Sequence, residues 1–327
     1  MELLKKLTEV NAPSGREDDI RDIIAAEAKR LGYEVYEDAL GSLIAHRSGN
    51  GKKLMIDAHM DEIGIIATYA DDKGYIRFGA VGGLELKELH KRRVRFSNGT
   101  MGIIGAEDEK FEKKAEISSL YIDIGAKDKA AAEALVKTGD TAVFDGRYYE
   151  QGDVIVSKAL DDRAGCYILL RVMGEMDKSD NDLYFVFSTQ EELGLRGART
   201  AAFGIMPDYA IAVDVTDTGD TPSCPVMDVR LGGGAAIKVM DDSVMCDINV
   251  INTLREIAEK NGIPHQTEIL ADGGTDAGTI AMTGGGVRAG GVSVPARYIH
   301  SPSEMVSRSD IESCIRLLRA ACEFNWS

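Results

Sequence analysis

Residues 188–197 read Ser-Thr-Gln-Glu-Glu-Leu-Gly-Leu-Arg-Gly and set two adjacent carboxylates, Glu191 and Glu192, just past an apolar run, Leu183-Tyr184-Phe185-Val186-Phe187, that reads as a buried strand. In open α/β sheets, ligands bind in the crevice beyond the carboxyl ends of the strands. Neighbouring side chains of an extended segment diverge, so one of the pair could hold a metal while the other handles a proton. The same pattern recurs twice. Lys53-Leu54-Met55-Ile56 leads into Asp57-Ala58-His59-Met60-Asp61-Glu62, and Tyr209-Ala210-Ile211-Ala212-Val213 leads into Asp214-Val215-Thr216-Asp217. Three apolar strands ending in metal-type ligands would converge at one sheet edge, a convergence that packing does not explain.

Collected along the chain, the candidates are His59, Asp61, Asp161, Glu191, Glu192, Asp214 and His300. Two imidazoles and several carboxylates without a thiolate suit a pair of divalent ions, zinc or cobalt, held about 3.5–4 Å apart. A carboxylate can bridge both. A water shared by two such ions has its pKa lowered from about 15.7 toward roughly 7, and a glutamate that is not a ligand can take its proton and pass it to a leaving amine. The chemistry implied is amide hydrolysis. Taken singly, each residue has a plainer reading: a Glu-Glu pair is a solvated helix start, a lone histidine is a satisfied core residue, and Asp161 or Asp162 is a helix N-cap, the role assigned here to Asp162.

These residues need a scaffold, and composition bounds it. The chain has 327 residues, 44% hydrophobic and 28% charged, long enough for two domains or one large domain with an insertion. A net charge of −16 and a pI near 4.8 disfavour nucleic acid and anionic membranes as partners. The first residues carry no apolar signal core and no apolar run reaches spanning length, so a cytoplasmic protein is expected. Cys166, Cys224, Cys246, Cys314 and Cys322 are scattered without a C-x-x-C pair and read as reduced thiols.

In chain order, Ser14-Gly15-Arg16-Glu17 reads as a capping box before a helix whose apolar face runs Ile20, Ile23, Ile24, Ala28, Leu31 and which stops at Gly32. Paired strands follow around Leu40-Gly41. After Gly64 the texture changes to short β-prone pieces broken at Asp72-Lys73-Gly74, Val81-Gly82-Gly83, Ser97-Asn98-Gly99 and Thr138-Gly139-Asp140, with a helix near residues 128–137. The expected architecture is therefore a three-layer α/β/α domain, residues 1–63 and 158–327, with a small β domain inserted at 64–157. Further on, Leu231-Gly232-Gly233-Gly234 is a glycine-rich loop entering a strand but lacks the marks of a phosphate loop. Residues 249–261 read as a helix with Leu254, Ile257 and Ala258 inward. Gly273-Gly274-Thr275-Asp276-Ala277-Gly278 is a tight turn expected to line the crevice, with Thr275 and Asp276 as candidate substrate-binding residues or plain turn formers. Met240, Met245 and Met282 read as core or pocket wall, and a terminal helix buries Ile311, Ile315, Leu318 and Ala321.

The sequence resembles the tetrahedral aminopeptidases, a cytosolic family that includes glutamyl and deblocking aminopeptidases and relatives once labelled endoglucanases. The matching stretches span nearly the whole chain: Ala58-His59-Met60-Asp61-Glu62-Ile63-Gly64, Ala159-Leu160-Asp161-Asp162-Arg163-Ala164-Gly165, Gln190-Glu191-Glu192-Leu193-Gly194-Leu195-Arg196-Gly197-Ala198, Val213-Asp214-Val215-Thr216, Gly274-Thr275-Asp276-Ala277 and Arg297-Tyr298-Ile299-His300-Ser301-Pro302. The resemblance implies that Asp161 bridges two ions, that His59 and Asp214 complete one site and Glu192 and His300 the other, that Glu191 is the general base, and that Asp61 orients the His59 ring from behind. It also implies short peptides with a free N-terminus as substrates, and dimers, joined through the inserted β domain, that build a dodecamer. A glycosidase would instead use Glu191 and Glu192 as facing acid and base, leaving the histidines idle. A non-enzymatic peptide-binding assembly predicts loss of a ligand or the base, and all are present.

Overall fold

The computed structural model describes residues 1–107, 116–222, 224 and 226–326. Helices α1 (Glu2–Glu9) and α2 (Asp18–Arg30) precede β1 (Glu34–Glu37), β2 (Leu43–Arg47) and β3 (Lys53–His59). A second group follows: β4 (Gly64–Ala70), β5 (Ile76–Val81), β6 (Arg93–Phe96), β7 (Met101–Ala106), β8 (Leu120–Asp123), α3 (Lys129–Leu135) and β9 (Thr141–Phe144). The chain then runs through β10 (Tyr149–Gln151), β11 (Val154–Ser157), α4 (Leu160–Glu175), β12 (Asp182–Ser188), α5 (Arg196–Ile205) and β13 (Tyr209–Thr216). It ends with β14 (Ala235–Met240), α6 (Ile248–Lys260), β15 (His265–Ile269), α7 (Asp276–Ala281), β16 (Arg288–Arg297), β17 (Glu304–Ser307) and α8 (Arg308–Glu323).

An 11-stranded sheet runs β1-β2-β12-β3-β13-β16-β17-β11-β10, with β14 and β15 branching from β16. Its centre is parallel: β3 lies between β12 and β13, and β13 pairs with β16. Parallel strands must be covered on both faces, and alternation along β3 sorts its side chains between two cores. Leu54, Ile56 and Ala58 pack with α1, α2, α4, α6 and α8, whereas Met55 joins Val186 and Ala210 against Ala198, Ala202 and Ile205 of α5 and Ile280 of α7. This is the three-layer α/β/α arrangement. The parallel register brings the carboxyl ends of β12, β3 and β13 to one edge, with Ser188 opposite His59.

Strands β4 to β9 close into a separate barrel, in the order β4-β5-β8-β7-β6-β9, around Ile65, Phe78, Val94, Phe96, Ile104, Ile122 and Phe144. The barrel ends at Phe144, earlier than the residue 157 read from the sequence. Strands β10 and β11 pair with each other and, through β11, with β17 of the large sheet, because Ile155 buries into the core beside that sheet rather than into the barrel.

Two local readings are corrected. Ser14 and Glu17 do not form a capping box: the Ser14 hydroxyl donates to Asp61, 2.6 Å away, and Glu17 accepts from the backbone N–H groups of Gly15 and Gln190. These side chains tie the start of α2 to the site-bearing loops, a stronger use of buried polar groups than an N-cap of their own helix. Met245 and Met282, expected in the core or pocket wall, are 70% and 79% exposed. The glycine-rich loop before β14 gives the N–H groups of Gly232 and Gly234 to the Asp310 carboxylate, so its glycines serve helix α8 rather than a ligand phosphate.

Where the barrel leaves the α/β/α domain, three charged side chains are buried together. Glu62 accepts from the Lys158 ammonium at 2.7 and 2.8 Å and from the Ala12 N–H at 3.0 Å, with Arg163 at 3.5 Å. Arg163 donates to the carbonyls of Leu7 and Met60. The cluster therefore joins the N-terminal helix, the His59–Asp61 segment and the start of α4. Removing the carboxylate leaves two buried cations without their counter-charge, a change that costs about 3–5 kcal/mol in comparable settings. Glu62→Leu should lower the thermal midpoint by many degrees, and Glu62→Leu/Lys158→Met should recover part of the loss. An unchanged midpoint in the single variant would show that burial of Lys158 and Arg163 does not depend on Glu62.

Candidate metal centre

Seven expected residues come from five separate segments, and the fold brings them to one edge of the sheet. His59 closes β3, Asp214 lies near the end of β13, and Asp161 opens α4 after a left-handed Ala159, joined to Asp162 by a cis peptide. Glu191 and Glu192 follow β12 beyond a left-handed Gln190, so a turn rather than continued strand separates their side chains. His300 sits in the turn between β16 and β17, itself left-handed at φ 62°. Of seven non-glycine residues with positive φ among those described, five (Ala159, Gln190, Leu195, Tyr298 and His300) fall in these site-bearing turns. Left-handed backbone costs energy for residues with a Cβ and persists where surroundings over-determine it.

The central feature is the Asp161 carboxylate. Its Oδ1 lies 3.0 Å from His59 Nε2 and its Oδ2 3.3 Å from His300 Nε2. Asp214 Oδ1 stands 3.8 Å from the same His59 nitrogen, and Glu192 Oε1 3.2 Å from the same His300 nitrogen. Two ligand sets result, His59–Asp161–Asp214 and Asp161–Glu192–His300, the ligand atoms within each lying within 4.8 Å of one another. The donors are imidazole nitrogen and carboxylate oxygen throughout, and the two sets share one side chain. That chemistry fits two borderline divalent ions bridged by Asp161.

Electrostatics points the same way. Burial pushes the carboxyls of Asp57, Asp162, Asp214, Glu191 and Glu304 well above their ordinary range, with neighbouring carboxylates adding to the effect. Burial also works to raise Asp161, but hydrogen bonds from His300 and His59 outweigh it and hold that carboxyl below the usual range. Burial would lower His300, yet Asp161 and Glu192 against its ring push it up to about 12. Carboxyl oxygen is thus concentrated out of water around two rings, and a cation bound there would supply the counter-charge that lets these groups ionise.

Supporting contacts fix the donors. Buried Asp61 accepts from the N–H groups of Glu191 and Glu192 at 3.0 and 3.3 Å and from Ser14, and its Oδ1 lies 3.4 Å from His59 Nδ1. It therefore holds the two-glutamate turn as well as backing the imidazole. Asp162 accepts from the Gly165 N–H at 2.9 Å, the cap expected of it, and a Cβ on Gly165 would collide with that carboxylate at 2.3 Å. The barrel reaches the centre too: a Cβ at Gly83 would lie 3.2 Å from the His300 ring. Glu304, which sequence reasoning passed over, accepts from the N–H groups of both Asp161 and His300. Its only sequence signal was its place two residues after the His300-Ser301-Pro302 turn.

A cavity of about 600 Å³ opens over the centre, lined by His59, Asp161, Glu191, Glu192, Asp214 and His300 together with Thr275 and the residues described below. Thr275 takes its place there with its hydroxyl donated to Asp241 at 2.9 Å. Asp276, the other candidate for substrate contact, does not line the cavity. It begins α7, is buried beneath the site and accepts from Ser188 at 2.7 Å, because the helix start turns its carboxylate inward toward Asp57. The cysteines are unpaired, four of them buried, and no described helix is long and apolar enough to cross a membrane.

The family model described as M42 glutamyl aminopeptidase matches residues 41–317. A candidate aminopeptidase of Acetivibrio thermocellus is 51% identical over 97% of this chain and 96% of its own. Among solved structures, an aminopeptidase from the archaeon Desulfurococcus kamchatkensis superposes with a TM-score of 0.94 at 40% identity, covering 98% of this chain and 94% of its own. The Pyrococcus horikoshii TET1 peptidase, described as assembling into a tetrahedron or a large octahedral shell, gives 0.86 at 33% identity over 98% of both chains. Family match and shared fold thus agree: the chain belongs to the M42 glutamyl aminopeptidase family and is an aminopeptidase by that membership.

Proposed function

We propose that the chain removes the N-terminal residue from short peptides at a centre of two divalent ions, zinc or cobalt, held by His59, Asp161, Glu192, Asp214 and His300. The observation that carries this reading is the shared Asp161 carboxylate, one oxygen toward each imidazole. Bound there, a pair of divalent ions supplies Lewis acidity to the scissile carbonyl and lowers the pKa of an attacking water toward roughly 7. Glu191 is the general base: it lines the cavity beside the ligands, and its backbone is pinned by Asp61. Its carboxylate takes a proton from the water and returns it to the departing nitrogen.

The cavity wall bears on the N-terminal residue. Leu195, Val215, Leu270 and Ile299 give it an aliphatic surface, and Asp217 and Asp272 add carboxylates beyond the ligand sets. No lysine or arginine lines it among the described residues. Aliphatic and basic N-terminal side chains therefore fit, and an acidic one meets like charge. Self-association is proposed as well, through the barrel, supported by the shell-forming TET1 relative.

Three measurements test these points. Asp161→Ala should weaken binding of both ions in metal analysis, whereas Glu191→Gln should keep both and lose about 10²–10⁴-fold in kcat with little change in KM. Loss of an ion from Glu191→Gln with retention in Glu192→Gln would reverse the two glutamates. With aminoacyl-nitroanilides, kcat/KM for Leu and Lys should exceed that for Glu by at least about tenfold, the ratio that about 1.4 kcal/mol of repulsion produces; preference for Glu would refute the wall's role. Finally, replacing residues 64–144 by a short linker should give a monomer in sedimentation. A full assembly from that variant would assign the contacts to the catalytic domain.

A further inference from the structure

Glu304 begins β17, where it pairs with Ser157 of β11, and is only 2% exposed. Its carboxylate is divided between two segments that are distant in sequence. Oε2 accepts from the Asp161 N–H at 3.0 Å, and Oε1 accepts from the His300 N–H at 3.1 Å. Both recipients sit in strained surroundings: Asp161 follows left-handed Ala159 with one residue between, and His300 is left-handed itself, two residues after left-handed Tyr298. Neither N–H belongs to a regular ladder or helix repeat, so each needs a side-chain acceptor, and one residue supplies both.

The consequence is mechanical. Asp161 and His300 lie 3.3 Å apart through their side chains and are joined a second time, through backbone, by Glu304. The donor atoms of the second ligand set, and the bridge it shares with the first, are therefore positioned relative to one another before any ion arrives. A glutamine at this position is nearly the same shape but has one acceptor oxygen and one amino group, so it can accept from only one of the two N–H groups. An aspartate keeps both oxygens on a shorter stem.

From this geometry we infer that Glu304 is a positioning residue for metal retention, one carboxylate that sets the spacing of the bridging ligand and the His300 ligand. The inference rests on the two-ion reading above, and wild-type metal content checks that reading separately. Partners that orient metal ligands typically contribute 10–100-fold to metal affinity.

The test compares wild-type protein, Glu304→Gln and Glu304→Asp, each stripped with chelator and titrated with zinc or cobalt. Metal content, apo-protein thermal midpoint, and activity as a function of added ion are followed. If wild type itself fails to bind two ions, the two-ion reading is wrong and this inference falls with it. Given two ions in wild type, Glu304→Gln should need about 10–100-fold more added ion for half-occupancy. Its kcat should be restored toward wild type at saturating ion with KM unchanged, and the apo midpoint should move little. Glu304→Asp should fall between the two. Wild-type metal affinity in Glu304→Gln overturns the inference, as does a lowered apo midpoint with unchanged affinity. If Glu304→Gln does not fold, Glu304→Asp decides by the same affinity measurement, and failure of both to fold would assign Glu304 to folding and likewise overturn it.

Discussion

Everything in this molecule is arranged around a carboxylate that must face two imidazoles at once. Asp161 offers one oxygen to His59 and the other to His300, and those histidines arrive from β3 and from the turn after β16, more than 200 residues apart in sequence order. A side chain shared by two ligand sets leaves little positional freedom, because any shift that improves one distance spoils the other. The parallel β12-β3-β13 core meets this demand by ending three strands at one level. The remaining precision comes from loops held in left-handed turns and tied by Asp61 and Glu304, whose acceptors are spent on backbone N–H groups of the ligand-bearing segments.

Such a centre is costly for the fold that contains it. Carboxylates gathered out of water repel one another and resist ionisation, as the raised Asp57, Asp162, Asp214 and Glu191 indicate. Stability must come from elsewhere, and the two hydrophobic layers on either face of the sheet supply it. Where buried charge is structural rather than chemical, it is paired: Glu62 with Lys158, and Lys238 with Glu268, are opposite charges in direct contact. The chain thus separates its buried charges into mixed-sign clusters that hold the frame together and a carboxylate-rich cluster around His59 and His300.

The inserted barrel belongs to this arrangement as well as to any assembly. Its entry strand leaves directly from the His59–Glu62 segment, and the turn after β5 passes so close to the centre that a Cβ on Gly83 would stand in tight contact, 3.2 Å, with the His300 ring. A residue of the insert therefore borders the His300 side chain of the large-sheet domain. This couples the two units through close packing rather than through a long path.

Much of this was legible in the residues alone, for a physical reason. An apolar run followed by a ligand-type side chain is a local pattern, and repeating it at His59, Glu191–Glu192 and Asp214 predicts an α/β sheet and the edge where its strand ends meet. Turn chemistry likewise announced the change of texture at Gly64 and the helix cap at Asp162. What local pattern does not encode is which partner a polar group finds across the fold. Ser14 and Glu17 have the spacing of a capping box but serve Asp61 and Gln190; Asp276 has the look of a crevice residue but turns inward to Ser188; β10 and β11 look like more of the insert but pair with β17. Glu304 carried only its place after the His300-Ser301-Pro302 turn as a signal, because its value lies in touching two N–H groups that only the folded chain brings within 3.1 Å of one carboxylate. Residue types determined the chemistry available, and tertiary structure decided which acceptor each donor met, since hydrogen bonding depends on distances that sequence separation does not set.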